Sequence, residues 1–157
     1  MKNNINILVL FLAALFCSMC TFAENVNEDK KTDMKMLRTF YTKYITNMLE
    51  NRDRENSELM EQYFLPELIV GLDEMNDYSD VNNVLRAQDV SEKMTSTLEI
   101  TPLATEWYMV SYVWDGKKVE IPVKTTQRDG RRMIEYIVPE GMGKEYGNDL
   151  LPDVVML

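Results

Sequence analysis

The chain has 157 residues, a formal net charge of −9, no histidine, and two cysteines that both fall within its first twenty residues. That length suits one domain, and an acidic balance gives no basic footprint for nucleic acid. With Cys17 and Cys20 in a segment read as a removable signal, the mature chain excludes disulfides, serine–histidine–aspartate catalysis and metal or haem sites built on Cys and His.

In chain order, Lys2 supplies a short positive start, Ile7–Phe16 is an apolar run of ten, and Thr21-Phe22-Ala23 puts small residues before a cleavage point. This is the layout of a secretory signal peptide over 1–23. Ten apolar residues are too few to cross a bilayer, which takes about 20, so no transmembrane helix is expected. Cleavage after Ala23 would release a periplasmic or secreted protein. A lipoprotein anchored at Cys20 is the alternative, disfavoured by Met19 at a position where lipoprotein signals place a small residue.

Residues 24–31 (ENVNEDKK) lack apolar anchors and read as a disordered leader. One α+β domain is expected over 32–140, with a C-terminal extension over 141–157. Thr32 or Asp33 is placed to cap a first helix. Met34, Leu37, Tyr41, Tyr44, Ile45 and Met48 then recur at three- and four-residue spacing to about Asn51. Asn51–Asn56 reads as a charged break, Ser57 as the cap of a short helix through Phe64, and Leu65-Pro66 as the opening of a third helix reaching about Met75.

After Arg86 helical spacing gives way to alternation. Thr97–Leu103, Trp107–Trp114, Lys117–Arg128 and Arg131–Val138 read as four strands of an antiparallel meander. Asp115-Gly116 and Asp129-Gly130 are residues of type I′ hairpins, and a three-residue loop Ala104–Glu106 would join the first pair. Two-residue turns fix register. They set Tyr112 opposite Val119, Val110 opposite Ile121 and Tyr108 opposite Val123, then Thr125 opposite Ile134, Val123 opposite Tyr136 and Ile121 opposite Val138. The face holding Val119, Ile121, Val123 and Tyr136 is the expected core, covered by the helices. Trp107, Met109, Met133 and Ile137 fall on the outer face, an apolar patch suited to a homodimer. Lys124 and Glu135 should pair across that face. Pro122 conflicts with an inner strand, and a bulge is expected there.

Helices followed by a curved four-stranded antiparallel meander resemble the nuclear-transport-factor-2-like, or cystatin-like, cone. The stretch from about Met36 to Val138 resembles a family of secreted domains of unknown function from gut anaerobic bacteria. Phe40-Tyr41, Tyr63-Phe64-Leu65-Pro66-Glu67-Leu68, Arg86-Ala87-Gln88-Asp89, Trp107-Tyr108-Met109-Val110-Ser111-Tyr112 and Ile121-Pro122-Val123-Lys124 carry the resemblance. It implies the cone fold and export, and it supplies no reaction.

Without histidine, a base active near neutral pH must be a carboxylate raised, or a lysine lowered, by its surroundings. Cone enzymes of the ketosteroid-isomerase type use an aspartate inside the cone. The counterparts here are Asp89 and Glu135, and Glu135 points outward beside Lys124. Asp89, with Arg86 and Gln88, lies where the chain leaves the helices for the sheet. These three, with Tyr112 from the aromatic inner face, are the candidate ligand-binding residues. A purely structural reading has Asp89 capping the turn Ser91–Met94 and pairing with Arg86. Asp73, Asp77 and Asp80 do not follow the calcium-loop pattern, and no metal or cofactor is called for.

The sequence therefore reads as an exported non-enzymatic domain that holds a small molecule or peptide between its helices and sheet. A pocket enzyme using Asp89 and an immunity or inhibitor protein directed at a toxin are the alternatives.

Overall fold

The apolar stripe near the start of the domain does form a helix. A computed structural model describes residues 28–76 and 81–139, and α1 runs over 28–49, so residues 28–31 are helical. Within 28–32, the Thr32 hydroxyl donates to the Glu28 carbonyl at 3.0 Å. The compact unit that carries the features below begins at Asp33. The signal segment, residues 24–27, Asp77, Asp80 and the extension 141–157 lie outside the described residues.

Leu37, Phe40, Tyr41, Tyr44 and Ile45 are buried along one side of α1. Thr32 and Asp33 sit inside this helix rather than at its cap. Asn51, with φ of +53°, turns the chain out of it, a left-handed conformation that Asn tolerates. The second helix, α2 (Asp53–Tyr63), starts four residues before Ser57, whose hydroxyl donates to the Asp53 carbonyl at 3.3 Å. Charge in this stretch starts a helix instead of breaking one: Asp53 and Glu55 occupy the first turn, where exposed backbone N–H groups favour carboxylates. Asn56 is buried. Its side chain donates to the Tyr44 carbonyl at 3.2 Å and accepts from Asn47 at 3.0 Å, which fixes the corner between α1 and α2. Helix α3 (Pro66–Asn76) opens on proline, as the spacing predicts.

A tight loop follows at Asn82–Ala87. The Asn82 N–H donates to the Ala87 carbonyl at 3.1 Å. The Asn82 side-chain oxygen accepts from the N–H groups of Val84 and Leu85 at 3.0 and 3.1 Å, while its amide donates to the Tyr44 hydroxyl at 3.1 Å. Thus locked, the loop buries Val84, Leu85 and Ala87 in the core. A short helix, α4 (Glu92–Ser96), leads into the sheet.

The strands β1 (Glu99–Ala104), β2 (Trp107–Trp114), β3 (Lys117–Arg128) and β4 (Arg131–Ile137) are adjacent in chain order and antiparallel throughout. Both Asp-Gly turns carry positive φ at both residues, +47° and +76° at 115–116 and +53° and +75° at 129–130, as type I′ requires. The first hairpin closes more tightly than expected. Ala104 pairs with Trp107 across Thr105–Glu106, with an irregularity between Pro102 and Ala104.

The β2–β3 register matches the expectation at Tyr108↔Val123, Val110↔Ile121 and Tyr112↔Val119. The β3–β4 register begins as expected at Thr125↔Ile134 and then slips, so that Lys124 faces Tyr136 and Val123 faces Ile137. Glu135 is the extra residue. The bulge lies there and not at Pro122, whose carbonyl accepts from the Val138 N–H at 3.1 Å. One inserted residue exchanges the faces of everything beyond it. Ile137 joins the core with Ile100, Val110, Tyr112, Ile121, Val123 and Ile134. Tyr136 moves to the outer face, half-buried and edge-on to Trp107 with ring centres 6.4 Å apart. The expected Lys124–Glu135 ion pair forms at 3.0 Å. On the outer face Trp107 and Met133 are buried, so with Ile137 in the core the expected patch is not exposed.

Candidate functional site

The residues nominated from sequence separate in space. Arg86 adopts φ of +50° and sends its guanidinium toward the sheet, donating to the Glu120 carbonyl at 2.6 Å, to the Val138 carbonyl and to the Pro139 carbonyl at 3.3 Å. It ties the 82–87 loop to β3 and to the end of β4. Tyr112 is buried, and its hydroxyl donates to the Leu85 carbonyl. Gln88 and Asp89 are exposed. Arg86 and Tyr112 thus hold the loop against the sheet, and Asp89 stands outside that arrangement.

Asp89 instead lines an open groove of about 490 Å³. Two segments line it, Asp89, Val90, Ser91 and Lys93 at the start of α4 and Trp114, Asp115 and Gly116 at the β2–β3 turn. Each segment is anchored. Met94 is fully buried and roots α4 in the core. Ser91, extended at φ of −142°, precedes the first turn of that helix, the position the structural reading gave to Asp89. The Thr97 hydroxyl oxygen accepts from the Val113 N–H at 2.9 Å, joining the end of α4 to β2. Trp114 packs partly against the core, while the type I′ turn that follows it leaves Asp115 and Gly116 exposed. The side chains lining it carry an indole, two carboxylates, an ammonium and a hydroxyl.

A second polar constellation lies inside the protein. Asp33 is 2% exposed. Its Oδ2 accepts from the Tyr108 hydroxyl at 2.8 Å and from the Thr125 hydroxyl at 3.0 Å. Oδ1 lies 3.5 Å from Arg132 Nε, an ion pair without hydrogen-bond geometry. Burial, and then the Asp33 carboxylate beside it, hold the Tyr108 phenol above its ordinary pKa. The Tyr41 hydroxyl is buried with no hydrogen-bond partner among the described residues. Burial, reinforced by Tyr112, raises its pKa, and the Arg86 charge offsets part of that rise.

Sequence reasoning reached Asp89 and passed over Ser91, Lys93 and Trp114. A tryptophan directly before an Asp-Gly turn was the available signal, because the exposed turn beside it leaves the indole only partly covered. Asp33 was read as a helix cap, which is what an aspartate after a polar leader suggests. Among the described residues, no group of three or more His, Cys, Asp or Glu side chains is placed to hold a metal ion. No helix among them is long and apolar enough to cross a membrane.

The class these elements define is an α+β domain, helices followed by an open four-stranded antiparallel sheet. The crystal structure of a protein of unknown function from Bacteroides thetaiotaomicron has the same fold, with a TM-score of 0.73 and 23% sequence identity over 77% of this chain and 99% of that one. That likeness is consistent with the resemblance to domains of gut anaerobes. No protein-family model matches the sequence, and no curated protein matches it.

Proposed function

We propose that the protein is an exported, non-enzymatic binding domain of the nuclear-transport-factor-2-like, cone-fold type, and that it takes a small polar ligand in the groove beside Asp89. The observation that carries this reading is the groove itself, about 490 Å³, lined by Asp89, Val90, Ser91, Lys93, Trp114, Asp115 and Gly116. That size falls among ligand sites of roughly 300–1,000 Å³ with a few convergent polar groups. The site is thereby moved outward from the interior between helices and sheet, where Arg86 and Tyr112 serve the loop at 82–87. An exposed carboxylate suits recognition better than general-base catalysis, which asks for a burial-shifted group. Asp33 is buried, and its contacts to Tyr108, Thr125 and Arg132 fit a structural hub.

The signal-like segment 1–23 supports export, with Glu24 as the expected N-terminus of material recovered from its host. Intact-mass measurement checks this, and a lipid on Cys20 would contradict it. Binding is tested by a thermal-shift screen of small polar molecules against wild type and Asp89→Asn. The expected result is a stabilising ligand whose effect the substitution removes. Stabilisation that survives Asp89→Asn would place the ligand elsewhere.

A further inference from the structure

We propose that the groove beside Asp89 binds a neutral, polyhydroxylated ligand, a sugar unit of an oligosaccharide. This rests on the reading of the groove as the binding site and adds the chemistry of its ligand. The charges decide first. Asp89, Asp115 and Lys93 line the same groove, and all three are exposed. An anion entering it meets two carboxylates. A cation would be drawn by those carboxylates and by the indole face, but it must share the groove with the Lys93 ammonium. A neutral ligand escapes both conflicts.

The lining then asks for a ligand with many donors and acceptors and one apolar face. Carboxylates only accept, an ammonium only donates, and the Ser91 hydroxyl does either. A ring of hydroxyls answers all three, since each hydroxyl can act in both senses. Trp114 supplies the apolar wall. Its packing against the core holds the indole in place before a ligand arrives, so little side-chain freedom is lost on binding. The C–H face of a pyranose is of a size to lie on an indole.

The groove is open at its turn, where Gly116 has φ of +76° and a Cβ built there would meet nothing within 4 Å. That open space leaves room for a second sugar unit beside the one on Trp114.

The test titrates the exported protein with maltotriose, cellotriose, xylotriose and triacetylchitotriose, with trilysine and trigalacturonic acid as charged comparators. Calorimetry gives affinity and tryptophan fluorescence gives location, because Trp107 is buried and only Trp114 lines the groove. At least one neutral trisaccharide should bind saturably and change the fluorescence, with affinity falling about tenfold or more in Asp89→Asn and in Trp114→Phe. Trp114→Phe keeps an aromatic ring against the core, and Asp89→Asn alters an exposed side chain, so both should fold. A charged comparator that binds in an Asp89-dependent way while no trisaccharide does overturns the ligand class and leaves the site standing. Trisaccharide binding unaffected by both variants, or no probe binding at all, overturns the ligand class and the site together.

Discussion

Asp33 accepts hydrogen bonds from Tyr108 on β2 and Thr125 on β3 and faces Arg132 on β4, so one carboxylate fastens α1 to three strands. Its burial makes that role costly to lose, because removing one member of a buried ion pair leaves the other charge without compensation. Asp33→Ala should therefore destabilise the fold by about 3 kcal/mol in urea denaturation. Asp33→Asn, which retains an acceptor for the two hydroxyls, should cost about half as much. A loss below 0.5 kcal/mol, about the level of an ordinary surface change, would refute the hub. No sequence pattern revealed this residue, since its partners lie far along the chain and only the fold assembles them.

The tyrosines give a second expectation at this scale. Tyr41, Tyr44 and Tyr108 are held above the ordinary phenol pKa chiefly by burial. A phenol in the unfolded chain titrates near 10. Above that pH the unfolded state releases protons that the native state keeps, so the unfolded chain binds fewer protons and stability declines as pH rises. Each such phenol should contribute a loss of about 1.4 kcal/mol per pH unit. Phenolate absorbance from these three should appear together with loss of circular dichroism above pH 10. Ionisation of all three in a chain that keeps its native signal would contradict their placement.

At the scale of elements, the hairpins were legible and the bulge was not. Asp115-Gly116 and Asp129-Gly130 specify their own turns, and the bounds of β2 and β3 follow from them. Past Thr125 the alternation loses its meaning because Met133, Ile134, Tyr136, Ile137 and Val138 are apolar on both faces. Either register then buries hydrophobic side chains, and pattern alone cannot choose between them. The Asn51–Asn56 stretch failed for a different reason. Its polar side chains look solvated, yet Asn56 is spent on the Tyr44 carbonyl inside the corner. The bulge predicts an asymmetry between neighbours. Ile137→Ala should cost about 3 kcal/mol, as core Ile→Ala changes do. Tyr136→Ala should cost about 1 kcal/mol, the scale of its aromatic contact with Trp107. The reverse order in chemical denaturation would restore the register without the extra residue.

Across the whole molecule, the order of helices and sheet was readable because periodicity changes once, near Arg86, from helical spacing to alternation. The groove beside Asp89 was less so, because it is assembled from the segment leading into α4 and the β2–β3 turn, which lie apart in sequence. Burial of Trp107, Met133 and Ile137 within one chain also removes the exposed patch on which self-association was argued. Sedimentation at high micromolar concentration should show a monomer, and a dimer weakened by Met109→Lys would return that face to consideration. The central claim is that the surface around Asp89 and Trp114 is where this domain binds a ligand. The most direct measurement is two-dimensional amide NMR of the protein during titration with the neutral trisaccharides. The account predicts shifts concentrated at Asp89–Lys93 and Trp114–Gly116, including the Trp114 indole N–H. Shifts centred on Tyr41, Arg86 and Tyr112, with the groove unmoved, would contradict it.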